Sequence, residues 1–156
     1  MARTYTVVFE KVSVSATQDL IEIIGGAGKV VRILQLDLAC VDNTPPTAQL
    51  LALRVSMLTA TVTSGSGGSS PTPRPLDLGD AAATFTAKVN CTTPATTSGG
   101  AKTTLWEGGT HLYASFSYAF QKPPIVGPTM CGVFELITTP GATITLSGTA
   151  TVEEIG

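Results

Sequence analysis

The chain is short of charge, histidine and aromatic rings, and each shortage removes a class of function. Charged residues make up 13% of its 156 positions, against roughly 25% in ordinary soluble domains. Its nine Lys and Arg are scattered singly and the formal net charge is −2, so no patch is built to track phosphates and no nucleic-acid partner is expected. His111 is the one histidine, and a Ser-His-Asp or Cys-His relay would have to run through it alone. No G-x-S-x-G elbow accompanies it. One His and three dispersed cysteines, Cys40, Cys91 and Cys131, do not make a zinc spacing. No metal or other cofactor is therefore expected, and the thiols read as reduced and buried.

Long apolar runs are missing too. None approaches the roughly 18 residues of a membrane span, and MARTYTVVFEKV lacks the apolar core of a signal peptide. The expectation is a soluble product made in a cytoplasm, with no membrane partner. Gly25-Gly-Ala-Gly-Lys29 is no phosphate-binding loop, because the spacing would need Gly at Ile23 and Ser or Thr at Val30. Asp37, Asp42, Glu107 and Glu135 are the carboxylates best placed for general acid chemistry. Acid catalysis requires one carboxyl buried beside an ionised partner, and the pattern reads them as solvated acids near strand ends.

Threonine fills the gap left by charge, with 25 residues in runs such as 59–63, 92–97 and 143–147. Its β-branched, neutral side chain suits a pleated, half-exposed surface. A surface so low in charge is easily desolvated against other subunits.

Period-two alternation recurs along the chain and predicts half-buried strands. Tyr5, Val7 and Phe9 share one face while Val12 and Val14 continue on the other parity, which predicts a β-bulge or a bend at Glu10-Lys11. Strands follow at Leu20–Ile24 and Val30–Cys40, the latter broken by 42–46. Leu50 to Val62 holds good helix formers, yet Leu51, Leu53, Val55 and Met57 alternate and predict a strand. Asp80 is positioned to cap one short helical turn over 80–84, the only helix expected. Alternation resumes at Phe85–Cys91 and Lys102–Trp106, a turn is expected at Gly108-Gly109, and a long strand over Leu112–Phe120 places Tyr118 inward. Met130–Leu136 and Ile144–Val152 complete the set. Eight or nine short strands predict one all-β domain over 1–156, an antiparallel β-sandwich of jelly-roll type, with an immunoglobulin-like sandwich as the alternative.

Two polar loops interrupt this pattern, at 63–80 and 92–100. The first, TSGSGGSSPTPRPLDLGD, joins a glycine- and serine-rich half, read as flexible, to a half stiffened by Pro71, Pro73 and Pro75. A segment of that kind is suited to reaching a neighbour.

The stretch TSGSGGSSPTPRPLDLGDAAATFTAKVNCTT resembles a segment that recurs in a family of small tailed-bacteriophage virion proteins, as do the opening TYTVVFEKVSVSATQDLIEI and the closing TLSGTATVEE. The likeness spans nearly the whole chain, with the loop as its specific part, and the family resembles capsid decoration, or cement, proteins. It implies a non-enzymatic virion protein on the capsid outer surface, made in the host bacterial cytoplasm. The implied partners are the major capsid protein and itself, as a homotrimer at local threefold positions. On that reading Pro71, Pro73, Arg74, Pro75 and Leu76 form the protein contact, with Arg74 offering a planar fork to a carboxylate. The competing expectation is a head-fibre or tail recognition module, or a carbohydrate-binding sandwich, using Trp106 and Tyr113.

Overall fold

The computed structural model describes residues 2–42, 44 and 46–156. Asn43 and Pro45, part of the break read at 42–46, lie outside the described residues. The strands are β1 (Ala2–Val14), β2 (Gln18–Ile24), β3 (Val30–Cys40), β4 (Leu50–Leu58), β5 (Thr61–Thr63), β6 (Arg74–Pro75), β7 (Thr86–Cys91), β8 (Thr96–Ser98), β9 (Lys102–His111), β10 (Phe116–Ala119), β11 (Ile125–Val126), β12 (Cys131–Leu136) and β13 (Ile144–Ile155). No helix occurs among the described residues.

A first sheet has the order β10-β3-β13-β1-β6, with β11 also pairing β3, and a second has the order β7-β2-β12-β4-β9. The pairs nest: β1 with β13, β2 with β12, β3 with β10 and β4 with β9, all antiparallel. A nested set of this kind, rolled so that its pairs alternate between two sheets, is a jelly roll. It excludes the immunoglobulin-like alternative. Tyr5, Val7, Ile33, Leu36, Ala150 and Val152 from the first sheet meet Ile21, Ile23, Leu53, Val55 and Phe134 from the second in one core. Fully burying each of the larger side chains contributes about 1.5–3 kcal/mol.

The bulge expected in β1 is present: its register against β13 shifts between Phe9 and Val12, with Lys11 at a φ of 50°. The strand reading of 50–58 holds, but the run does not continue to Val62. Ala60 adopts a φ of 66°, and Thr61–Thr63 joins β8 in a separate two-stranded ribbon. Loop 92–100 therefore contains a strand.

Three further expectations are corrected. Gly108 and Gly109 make no turn but lie inside β9, paired with Leu53 and Ala52 of β4, and the Trp106 ring covers Gly108 so closely that a Cβ there would sit 2.5 Å from it. The single strand read over Leu112–Phe120 is instead a turn at Leu112–Ser115 followed by β10, since the chain must leave the second sheet for the first at that point. The helical turn at Asp80 is absent. A turn at Asp77–Asp80 precedes it, with the Gly79 amide donating to Asp77 Oδ1 at 2.9 Å, and Asp80 pairs with Arg3 at 3.4 Å.

Between β4 and β9, residues 59–101 form one insertion. Its β7 widens the second sheet, while the β5–β8 ribbon lies over that sheet's outer face. There Val62 and Ala95 pack on Leu58, Cys131, Val133 and Ile24 as a smaller second core. For this reason β12 is buried on both faces along its whole length.

Candidate protein-contact site

The proline-rich segment is a strap across one open flank of the sandwich. Ser66 exchanges two backbone hydrogen bonds of 3.0 Å with Thr93, and Ser69 exchanges bonds of 3.0 and 2.9 Å with Val89 at the edge of the second sheet. Five residues after Ser69 the chain reaches the edge of the first, where Arg74 and Pro75 pair with Thr6 and Tyr5 and the Leu76 amide donates to Thr4 O at 2.9 Å. The glycines of this segment, read as flexible from the sequence, are sites of close approach. A Cβ on Gly65 would stand 2.4 Å from Glu22 Oε1, and one on Gly68 would stand 2.1 Å from Val89 O.

Pro71, Pro73 and Pro75 are half-buried against the domain, whereas Thr72, Arg74 and Leu76 alternate outward. An edge position suits proline, which has no N–H to leave unpaired. Arg74 has no ion-pair partner among the described residues, and the outward row ends at Leu76, 61% exposed, and Leu78, 93% exposed. The proline-rich loop thus folds back on its own domain and leaves one cation and two leucines exposed to solvent.

The opposite flank, where β9 and β10 are the sheet edges, holds a groove of about 840 Å³ lined by Leu105, Trp106, Tyr118, Phe120, Pro124 and Ile125. Trp106 lies 5.0 Å from the Tyr118 ring and 5.6 Å from Phe116. Tyr118 is half-buried, at the groove rather than in the closed core. Tyr113 is not brought to this cluster. It sits on the turn before β10, more than half exposed, with its ring beside His111 and its hydroxyl donating to Pro46 O. His111 Nδ1 accepts from the Tyr113 amide at 3.3 Å.

The carboxylates correct the sequence reading most. Glu135 is no solvated strand-end acid. It is 4% exposed and accepts from Arg54 at 2.9 and 3.0 Å, Ser56 at 2.6 Å and Lys102 at 2.6 Å. Burial alone would raise its pKa, but these bonds, Arg54 first, outweigh it and hold the carboxyl below its ordinary value. Glu154, also buried, is held low in the same way by Thr84 and Lys29. Asp19 and Glu22 bind the insertion: Asp19 accepts from the Ala95 amide at 2.7 Å, and both Glu22 oxygens accept from the Gly65 amide at 3.1 Å. Sequence reasoning missed these two. The signal available was a carboxylate inside an apolar strand, as in Leu20-Ile-Glu-Ile-Ile24.

Cys91 and Cys131 are buried free thiols and Cys40 is a half-buried one. Among the described residues no group of three His, Cys, Asp or Glu is placed to hold a metal ion.

No protein-family model matches the chain, and no curated protein matches it. A solved structure described as "Structure of infectious bursal disease virus Gx strain" aligns over 98% of this chain at 15% identity, with a TM-score of 0.15. The chain spans 42% of that protein's length. At that score the likeness says nothing of fold or function.

Proposed function

We propose that the protein is a non-enzymatic structural component of a bacteriophage virion, a decoration or cement protein that bridges neighbouring major capsid subunits on the outer shell as a homotrimer. The observation that carries this reading is the strap: an element held at both ends that presents Thr72, Arg74, Leu76 and Leu78 outward. Because the strap is already ordered, docking it costs little conformational entropy. Leu76 and Leu78 supply apolar area to bury, and Arg74 supplies a directional fork for a carboxylate. A low-charge, threonine-rich surface is cheap to desolvate. Closed symmetry and a repeating lattice multiply one modest contact into avidity. The protein is made in the host cytoplasm, and it needs no cofactor, nucleic acid or membrane for this role.

The aromatic groove on the other flank favours a second reading, a fibre or tail recognition module that binds glycans at Trp106. Glycan binding abolished by Trp106→Ala would establish it in place of the first.

Cryo-electron microscopy of the parent particle tests the main reading. Density for the protein is expected at capsomer junctions in hundreds of copies, and Arg74→Ala with Leu78→Asp is expected to lower occupancy several-fold without changing the urea midpoint. A few copies at a single vertex, or full occupancy in the double variant, would overturn it.

A further inference from the structure

The β5–β8 ribbon is tied down differently at its two ends. At its base the Thr59 amide donates to Ala101 O and the Ala101 amide to Thr59 Oγ1, both at 3.1 Å, so neutral groups hold the hinge. At its far end the attachments are carboxylates of β2: Asp19 on the Ala95 amide and Glu22 on the Gly65 amide, with Lys88 Nζ donating to Gly65 O at 2.7 Å. Asp19 is 1% exposed and Glu22 is fully buried.

The charged groups around Asp19 do not neutralise it. Lys102 of β9 and Arg54 of β4 line the same small cavity, but both hydrogen-bond Glu135 of β12, which faces Asp19 in register. Glu22 lies three residues further along β2, brought to the same face by the bulge at Leu20, and Cys91 of β7 stands opposite Asp19. Among the described residues Asp19 has no ion-pair partner within 4.0 Å. When ionised it is a buried charge whose hydrogen bond comes from the ribbon's own backbone.

We propose that the ribbon is a pH-sensitive cover, closed over the outer face of the second sheet when Asp19 is protonated and loosened when Asp19 ionises. The physical cause is burial. It pushes the Asp19 carboxyl up to about 6, opposed by the Ala95 amide and Lys102 and reinforced by Glu135 and Glu22. With the ribbon open, water reaches the carboxylate and its ordinary value of 3.8 returns. The closed state therefore binds the proton more tightly, acid favours closure, and opening grows as pH rises through the closed-state value. Loosening uncovers Leu58, Cys131 and Val133, a small apolar face otherwise hidden beneath Val62 and Ala95.

Amide hydrogen exchange on the full chain, corrected for the intrinsic rate at each pH, tests this. Protection of the Ala95 and Gly65 amides is expected to fall about tenfold between roughly pH 5 and pH 7.5 and to stay well below that of Val7 and Ala150 in the β1–β13 core at every pH, as a local opening requires. Asp19→Asn, whose amide oxygen can still accept from Ala95, is expected to hold protection constant across that range. Constant protection at Ala95 in the wild-type chain would overturn the proposal whether or not the variant folds. So would protection at Ala95 and Gly65 equal to that at Val7 and Ala150, which would mean that the ribbon opens only with the whole fold, or an unchanged pH dependence in Asp19→Asn.

Discussion

Gly148 lies beneath the Phe9 ring, its partner across the β1–β13 pair, and a Cβ there would come within 2.5 Å of it. Trp106 covers Gly108 in the same way. In both places the glycine is a packing residue that lets an aromatic ring lie flat on a strand. Gly148→Ala is accordingly expected to destabilise the fold by about 1–3 kcal/mol through overpacking, read as a lower urea midpoint at unchanged slope. A midpoint equal to wild type would show that Phe9 can move aside freely. Local pattern made Gly108-Gly109 look like a turn, because sequence gives no view of the ring above it. It also placed Glu135 in solvent, since the cations that pair with it, Arg54 and Lys102, come from two other strands.

At the scale of elements, alternation located strands well and misplaced the points where the chain changes sheet. The β1 irregularity was legible because the apolar residues switch from odd to even positions between Phe9 and Val12. The crossing at Leu112–Ser115 was not, because Leu112, Ala114 and Phe116 keep the same parity through it. The strap was legible as stiff, from its three prolines, and not as to what it touches. Replacing Pro73 and Pro75 by Gly enlarges the unfolded ensemble by about 0.4–1 kcal/mol per site and frees the strap between its two attachments. Limited proteolysis within 70–79 is expected to accelerate several-fold while the β1–β13 pair stays protected. A strap as resistant as wild type would show that its pairing with Thr6 and Tyr5 suffices without proline.

For the molecule as a whole, buried carboxylates set how stability depends on pH. Glu135 and Glu154 titrate below their ordinary value of 4.5 in the folded chain, so their contribution is present above that value and is lost as pH falls through the folded one. Asp19 has the opposite sign. Its folded value, about 6, stands above 3.8, so its contribution is complete below 3.8 and is lost as pH rises through about 6, by on the order of 3 kcal/mol. Stability is therefore expected to peak near pH 4.5 and to decline toward pH 6 before levelling. Urea midpoints across pH 3.5–8 check this, with Asp19→Asn removing the decline above the peak. A wild-type midpoint that rises steadily to neutrality would contradict the assignment of Asp19 as the dominant buried charge.

By itself the sequence determined the all-β class, the β1 bulge, most strand positions and the stiffness of the strap. Each of these rests on side chains within a few residues of one another, where period two and proline's fixed φ act. Only the tertiary structure decided that the 63–80 segment closes its own flank, that the 59–101 insertion covers the second sheet, and that Asp19, Glu22 and Glu135 are buried beneath or beside it. Those outcomes depend on partners remote in sequence, such as Gly65 for Glu22 and Arg54 for Glu135, 43 and 81 positions away. Nested jelly-roll pairing creates such partners, and periodicity along one strand carries no record of them.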